Sequence, residues 1–311
     1  MQPHQNPGIE RRFIASIAIT SIILVAEIIG GIWTGSLALL SDAAHVFMDI
    51  FALALSFVAL RLSALPADDR HTYGYHRLEV LAALANGVTL VVIAFGIWRE
   101  AVDRFSNPQA IHSSEMLIIA AIGLAANLAV AFILGSHSHS SGEHDHSVED
   151  LNVHSAFLHV LGDAVSSVGV ILAALLIGLT GWQWLDPLVS VLIGILIGLS
   201  AYRVTRSALH ILIEGVPAGI SLPKVETAIR QTAGIAAVHE LHVWNICSGH
   251  VALSAHVILH DFLDSHTDLR SRINQTLRQE FGIEHTTLQF EAEPCGAQVC
   301  GCGTPVVDTL T

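Results

Sequence analysis

The chain is 311 residues long, 52% hydrophobic and 13% charged, with a mean hydropathy of +0.59. Because a soluble domain carries about 25% charged residues, this composition excludes an ordinary soluble protein and predicts a membrane protein with a smaller soluble part. The formal net charge of −13 argues against nucleic acid as a partner and suits the handling of cations. The 19 histidines are a strong excess and point to metal chemistry.

Six apolar segments predict six transmembrane helices, since each is about 20 residues long, as a lipid bilayer requires. In chain order they cover 13–33, 36–60, 78–98, 116–134, 153–179 and 184–202. The links between the first and second spans and between the fifth and sixth are tight, which predicts two helical hairpins. We expect the first segment to be retained as a spanning helix rather than cleaved as a signal peptide.

The arginines beside the spans predict which side of the membrane each link faces. With the N-terminus inside, the inner segments hold seven arginines and the outer segments hold two. The inner set is Arg11, Arg12, Arg61, Arg70, Arg77, Arg203 and Arg206, and the outer set is Arg99 and Arg104. We therefore expect both termini to lie in the cytoplasm.

A histidine precedes an aspartate by four residues in both the second and the fifth span, as His45 with Asp49 and His159 with Asp163. Four residues make about one helical turn, so the two side chains of each pair share a face. An ionised aspartate in mid-membrane costs about 2.5–3.5 kcal/mol, and no lysine or arginine lies near mid-span to pair with it. The four residues predict a cation site rather than a structural polar network. Nitrogen and oxygen ligands in tetrahedral number suit Zn²⁺.

Asp42 extends the stripe of the second span, at positions i, i+3 and i+7 with His45 and Asp49. Two interpretations stay open for this carboxylate. It lies at the mouth of the cation site, or it forms a hydrogen bond to a neighbouring helix. Ser166 and Ser167 follow Asp163 by one turn on the fifth span.

The C-terminal third changes in character and predicts a small cytosolic α+β domain of ferredoxin-like type. Its amphipathic and alternating segments follow the order α-β-β-α-β, with a turn at Ser248-Gly249. The predicted organisation is an N-terminal tail (1–12), a six-helix transmembrane domain (13–206) with a His-rich loop (135–147), a cytosolic domain (207–293) and a Cys-containing tail (294–311).

Two low-complexity stretches are candidate accessory metal sites. The His-rich loop carries His137, His139, His144 and His146, and such tracts bind metal weakly or serve as disordered linkers. Cys295, Cys300 and Cys302 in the tail offer thiolates for Zn²⁺ or belong to a loose end.

Residues 36–49 and 152–163, which contain the two His-x3-Asp motifs, resemble the cation diffusion facilitator family, in particular its bacterial zinc-exporting branch. The resemblance implies a homodimeric, proton-coupled exporter of divalent metal in a bacterial inner membrane. It assigns the transport site to His45, Asp49, His159 and Asp163. Histidine at the position of His45 implies a preference for Zn²⁺ over Cd²⁺.

The same resemblance implies a metal site in the cytosolic domain, formed by His239, His256 and Glu291. Gln289 stands where members with a binuclear site have histidine. His285 is a candidate accessory ligand, although a lone strand histidine is usually structural.

The link between the second and third spans matches a further pattern of the family. Asp68 and His71 fit an extra metal site found in some members, whereas Tyr75 stands where a second histidine would be. Arg77 and Glu214 resemble the family's charge interlock between the membrane and cytosolic domains.

Three functions from different classes account for the membrane carboxylates to different degrees. A secondary Zn²⁺/H⁺ antiporter that is not an enzyme explains them fully. An intramembrane metalloenzyme would need a general base, and no H-E-x-x-H motif occurs. A membrane-anchored metal sensor leaves the carboxylates unexplained. No Walker A pattern is present, so we do not expect ATP to drive transport.

Overall fold

The fold comes from a computed structural model, which describes residues 7–135, 149–247, 249–260 and 266–293. Within its helices, the side chains of 7–17, 131–135, 149–161 and 163 are not described. Two compact units are present: one comprises residues 1–55 and 85–204, and the other comprises residues 56–84 and 205–311.

Six long helices confirm the predicted membrane domain. They are α1 (Pro7–Thr34), α2 (Leu37–Ser63), α3 (Arg77–Ser106), α4 (Ser113–Gly135), α5 (Glu149–Thr180) and α6 (Leu185–Leu212). Among the described residues, α2, α3, α4 and α6 are long and apolar enough to span a bilayer, and the described parts of α1 and α5 are shorter apolar helices. Gly35 and Gly181, with φ of 73° and 75°, form the predicted tight turns.

The first unit buries many alanines together with large apolar residues such as Leu39 and Met48 between its helices, and it turns many other large apolar side chains outward, as expected for helices that face lipid. Helix α4 packs against both α1 and α5. A Cβ atom at Gly30 of α1 would come within 2.5 Å of the Ile119 side chain of α4, so a larger residue there would force that side chain to move. The close approach of α1 and α4 therefore relies on a small residue at Gly30.

A buried carboxylate fixes the turn between α1 and α2 to the start of α6. Asp186 accepts a hydrogen bond from the Ser36 hydroxyl at 2.6 Å, and two from backbone N–H groups at the start of α2 at 2.8 and 3.1 Å. Arg104 of α3 approaches the same carboxylate at 3.8 Å and donates to the Gly35 carbonyl at 2.5 Å. Asp186 thus satisfies N–H groups that a helix start leaves without intrahelical partners.

The second unit contains the predicted α-β-β-α-β sequence of elements. They are α7 (Leu222–Arg230), β1 (Ile235–Cys247), β2 (His250–Leu259), α8 (His266–Phe281) and β3 (His285–Glu291). The sheet has the order β1-β2-β3, with β1 antiparallel and β3 parallel to β2. Buried apolar residues of α7 and α8 pack with one face of the sheet in a single core. The opposite face remains open to carry polar side chains.

A bulge in β1 decides which side chains reach the open face. The register shifts between His239 and His242, and Glu240 adopts a left-handed φ of 47°. This extra residue keeps Leu241 and Val243 with the core, although His239 lies on the other face. Both histidines of this stretch therefore lie away from the helices.

Candidate functional site

Three side chains meet on the open face of the sheet: His239, His256 and Glu291. The Glu291 carboxylate lies 3.2 Å from His239 Nε2 and 3.0 Å from His256 Nδ1. One ligand atom from each of the three lies within 4.8 Å of the others, the one such set of three in the described part of the chain. The cluster is half-buried, with side-chain exposures of 20%, 27% and 10% for His239, His256 and Glu291.

Strand register brings these residues together. His239 and His256 are direct partners across the antiparallel pair, and their rings meet edge to face with centroids 5.1 Å apart. Glu291 pairs with Ile258, two residues beyond His256 on the same face of β2. Gln289, the partner of His256, donates a hydrogen bond to Glu291 at 2.7 Å and so helps to orient the carboxylate. Two imidazole nitrogens and one carboxylate oxygen form a donor set that suits Zn²⁺.

The stripe on α2 contacts α5 through Asp42. This buried carboxylate accepts hydrogen bonds from the Ser166 hydroxyl at 2.5 Å and the Ser167 hydroxyl at 3.1 Å. His45 and Asp49 follow on the same face of α2. Asp42 therefore forms a hydrogen bond with a neighbouring helix, one of the two roles open for it from the sequence.

The other half of the predicted transport site lies on α5. His159 and Asp163 are within this helix, whose bounds are Glu149–Thr180, but their side chains lie outside the described residues. The serines that bind Asp42 stand one turn after Asp163.

The link between α2 and α3 folds around Asp68. Its carboxylate accepts hydrogen bonds from the Tyr75 hydroxyl at 2.7 Å and the His71 backbone N–H at 2.6 Å, and it lies 3.2 Å from His71 Nδ1. The Tyr75 hydroxyl, with the backbone N–H groups of His71 and Arg70, lowers the pKa of Asp68 from 3.8 to about 2. Asp68 and His71 are thus adjacent through Asp68 Oδ1, while Tyr75, which stands where a second histidine would be, binds Oδ2 with its hydroxyl.

Of the remaining predicted residues, some are described by the structure and others lie outside the described residues. Arg77 Nη2 lies 3.0 Å from Glu214 Oε1, so the expected ion pair is formed, and Glu214 takes a left-handed φ of 60° just beyond the end of α6. His285 contacts the Tyr73 ring, with centroids 5.8 Å apart. The candidates outside the described residues are His137, His139, His144, His146, Cys295, Cys300 and Cys302.

Two arrangements in the structure were not predicted from the sequence. One is the Asp186–Arg104 contact, whose sequence signal is an acidic residue at the first turn of an otherwise apolar helix. The other is the contact between Cys247 and His250. Its signal is the predicted two-residue turn between them, because such a turn makes the flanking residues cross-strand partners.

Known proteins match nearly the whole chain. A family model described as the cation efflux transmembrane domain matches residues 13–213, and one described as the cytoplasmic domain of cation efflux proteins matches residues 217–293. The metal cation efflux system protein CzcD of Cupriavidus metallidurans is 39% identical over 293 residues, which are 94% of this chain and 90% of that protein.

Two further relatives are named for different transport activities. A cadmium, cobalt and zinc/H(+)-K(+) antiporter of Bacillus subtilis is 41% identical over 298 residues, or 94% of this chain and 93% of that protein. The zinc transporter ZitB of Escherichia coli is 37% identical over 294 residues, or 93% and 90%. Among solved structures, the metal-bound C-terminal domain of the CzcD transporter is 33% identical, covers 23% of this chain and 99% of that chain, and has a TM-score of 0.22.

Proposed function

The chain belongs to the cation efflux family, and we propose that it exports divalent metal ions, Zn²⁺ foremost, from the cytoplasm in exchange for protons. The names of its relatives, which refer to metal efflux, zinc transport and cadmium, cobalt and zinc antiport, support this substrate class. The protein is a multi-pass membrane transporter rather than an enzyme. It acts as a homodimer, with both termini in the cytoplasm.

The contact of Asp42 with Ser166 and Ser167 is the observation that carries this proposal. Consecutive spanning helices alternate in direction, so α2 and α5 run antiparallel. One turn along α2 from Asp42 is His45, and one turn back along α5 from the serines is position 163. A second turn in each direction reaches Asp49 and position 159. The contact therefore supports a register in which both His-x3-Asp turns face each other at the same depth, as one four-ligand site.

The ligand chemistry couples metal to protons. A neutral imidazole and a carboxylate bind Zn²⁺, and protonation of either competes with the metal. His45, Asp49, His159 and Asp163 would therefore bind zinc from the cytoplasm and release it when protons arrive from the other side. The unloaded, protonated ligands would return in an alternating-access cycle. Imidazole ligands favour Zn²⁺ over harder ions such as Mg²⁺.

We assign a resident zinc ion to the cytosolic cluster of His239, His256 and Glu291. In this assignment, residues 13–206 carry the transport path, residues 207–293 carry the cytosolic zinc, and 1–12 and 294–311 are tails. The His-rich loop (135–147), the tail cysteines and the Asp68–His71 pair are secondary candidates for capturing metal.

Metal uptake by proteoliposomes at a fixed pH gradient tests the proposed function. Vesicles with an acidic lumen should accumulate Zn²⁺, and a protonophore should reduce the initial rate. Cd²⁺ and Co²⁺ measured under the same gradient give the selectivity order, and Mg²⁺ should not compete. Zinc uptake that is indifferent to the pH gradient would rule out proton exchange, and no zinc uptake at all would rule out transport.

Removing a ligand of the cytosolic cluster should lower its zinc affinity. Since loss of an outer-shell partner typically costs 10–100-fold in metal affinity, His239→Ala should weaken binding by at least about 100-fold. Isothermal titration of the full-length protein in detergent would detect the loss of one equivalent. His242→Ala is the matched control, because His242 lies on the same strand and is 52% exposed beside Glu240. Equal stoichiometry in the two variants would contradict the assignment.

A further inference from the structure

A second group of metal-ligating side chains lies at the tip of the β1–β2 hairpin. Cys247 Sγ is 3.3 Å from His250 Nδ1, and the two residues are cross-strand partners. The His250 ring stacks on that of His76, with centroids 5.9 Å apart and an interplanar angle of 15°. At about 3.3 Å per strand residue, the tip is roughly 20 Å from His256, so this group is separate from the cytosolic cluster.

A cavity of about 230 Å³ adjoins this group. It lies within the second unit, and polar side chains on its wall include Tyr73, His76, His250, Glu284 and His285. Three imidazoles on the wall of this cavity offer nitrogen donors to a metal ion that would occupy it. Cys247, which is 3% exposed, stands directly behind His250.

The geometry of the cysteine–histidine pair fits adjacent corners of a tetrahedral zinc site. Zn–S and Zn–N bonds of about 2.3 and 2.0 Å place sulfur and nitrogen about 3.5 Å apart at the tetrahedral angle. The observed distance of 3.3 Å between Cys247 Sγ and His250 Nδ1 is close to this value, so the two side chains could bind one zinc ion without any movement of the backbone. Two imidazoles that bind one zinc ion have ring centroids about 5 Å apart. The His76 ring would therefore move about 1 Å closer to the His250 ring for both to bind the same ion.

The surroundings of Cys247 disfavour a bare thiolate and would favour a thiolate that is paired with a divalent cation. Burial, together with the nearby Glu79 carboxylate, raises the pKa of the Cys247 thiol. The same carboxylate attracts a divalent ion, and a bound metal deprotonates a coordinating thiol outright. Glu284 is paired with Arg278 at 3.0 Å and does not bring a second unpaired charge to the cavity.

We propose that Cys247, His250 and His76 form a second transition-metal site of the Zn²⁺ or Co²⁺ type, with its fourth position open to the cavity beside His285. A metal there ties the residue just before α3 to the tip of the hairpin. This site is distinct from the transport ligands and from the cytosolic cluster, and its existence does not depend on transport.

Cobalt absorption spectroscopy tests the proposal on the full-length protein in detergent, without any ion gradient. The parent is the Cys295→Ser/Cys300→Ser/Cys302→Ser variant, which removes the tail thiols. Addition of Co²⁺ alone should give a near-ultraviolet thiolate-to-cobalt charge-transfer band, and Cys247→Ser should abolish it. His250→Ala and His76→Ala should each raise the Co²⁺ concentration for half-saturation of the band at least about 10-fold.

The control His242→Ala should leave the band and its saturation unchanged. A band that persists in Cys247→Ser, or that is absent from the parent, would overturn the proposal. An unchanged half-saturation in both the His250 and the His76 variants would also overturn it, and these two variants keep the test decisive if Cys247→Ser does not fold.

Discussion

Replacing Asp49 by asparagine should abolish proton-driven zinc uptake. The substitution keeps the size of the side chain but removes the negative charge and one proton-exchanging ligand of the proposed four-ligand site. Because even outer-shell changes cost 10–100-fold in metal affinity or activity, we expect the initial rate of zinc uptake to fall by at least about 100-fold. The rate is measured in proteoliposomes with an acidic lumen at a fixed zinc concentration.

Asp103→Asn is the matched control for the Asp49 variant. Asp103 is an exposed carboxylate near the end of α3, where it accepts a hydrogen bond from Asn107. Its substitution should leave the uptake rate unchanged. Zinc binding by the cytosolic cluster should also persist in Asp49→Asn, which distinguishes loss of the transport site from loss of the fold. Wild-type uptake by Asp49→Asn would remove Asp49 from the transport site.

Replacing Asp186 by alanine should strongly destabilise the membrane domain. This carboxylate is 0% exposed, binds the Ser36 hydroxyl and two N–H groups of α2, and faces Arg104 at 3.8 Å. Removing one partner of a buried ion pair costs about 3–5 kcal/mol, because the other charge is left uncompensated. Thermal unfolding in detergent, monitored by circular dichroism, should show a clearly lower midpoint than wild type.

Asp103→Ala is the control for stability, since an exposed substitution should stay within about 0.5 kcal/mol. Asp186→Asn keeps some hydrogen bonding without the charge and should unfold between Asp186→Ala and wild type. If Asp186→Ala and Asp103→Ala unfold at the same temperature, Asp186 does not hold α2 and α6 together.

The helices of this fold could be predicted because membrane spans leave a strong signal in sequence. Each helix needs about 20 apolar residues, and polar residues inside such a run are costly enough to stand out. This is why His45 and Asp49 could be singled out by spacing alone. The Asp186–Arg104 contact could not, because it joins residues from separate helices whose packing the apolar pattern does not specify.

The cytosolic cluster shows a different limit to what could be predicted from sequence. His239, His256 and Glu291 come from three strands, and residue types alone give no reason to bring them together, so their grouping rested on the family resemblance. Their approach depends on strand register and on the bulge at Glu240, which the alternation of apolar residues did not predict. Sequence patterns specify which face a strand residue occupies, but a single inserted residue reverses that face.

The central claim is that metal and protons exchange at one shared set of ligands, and lumenal pH during zinc entry tests it most directly. Proteoliposomes that contain a pH-sensitive dye receive external Zn²⁺ with no imposed pH gradient. Wild-type vesicles should become alkaline inside as protons leave in exchange for zinc, and Asp49→Asn vesicles should not. Zinc accumulation in wild-type vesicles without any change in lumenal pH would contradict the account.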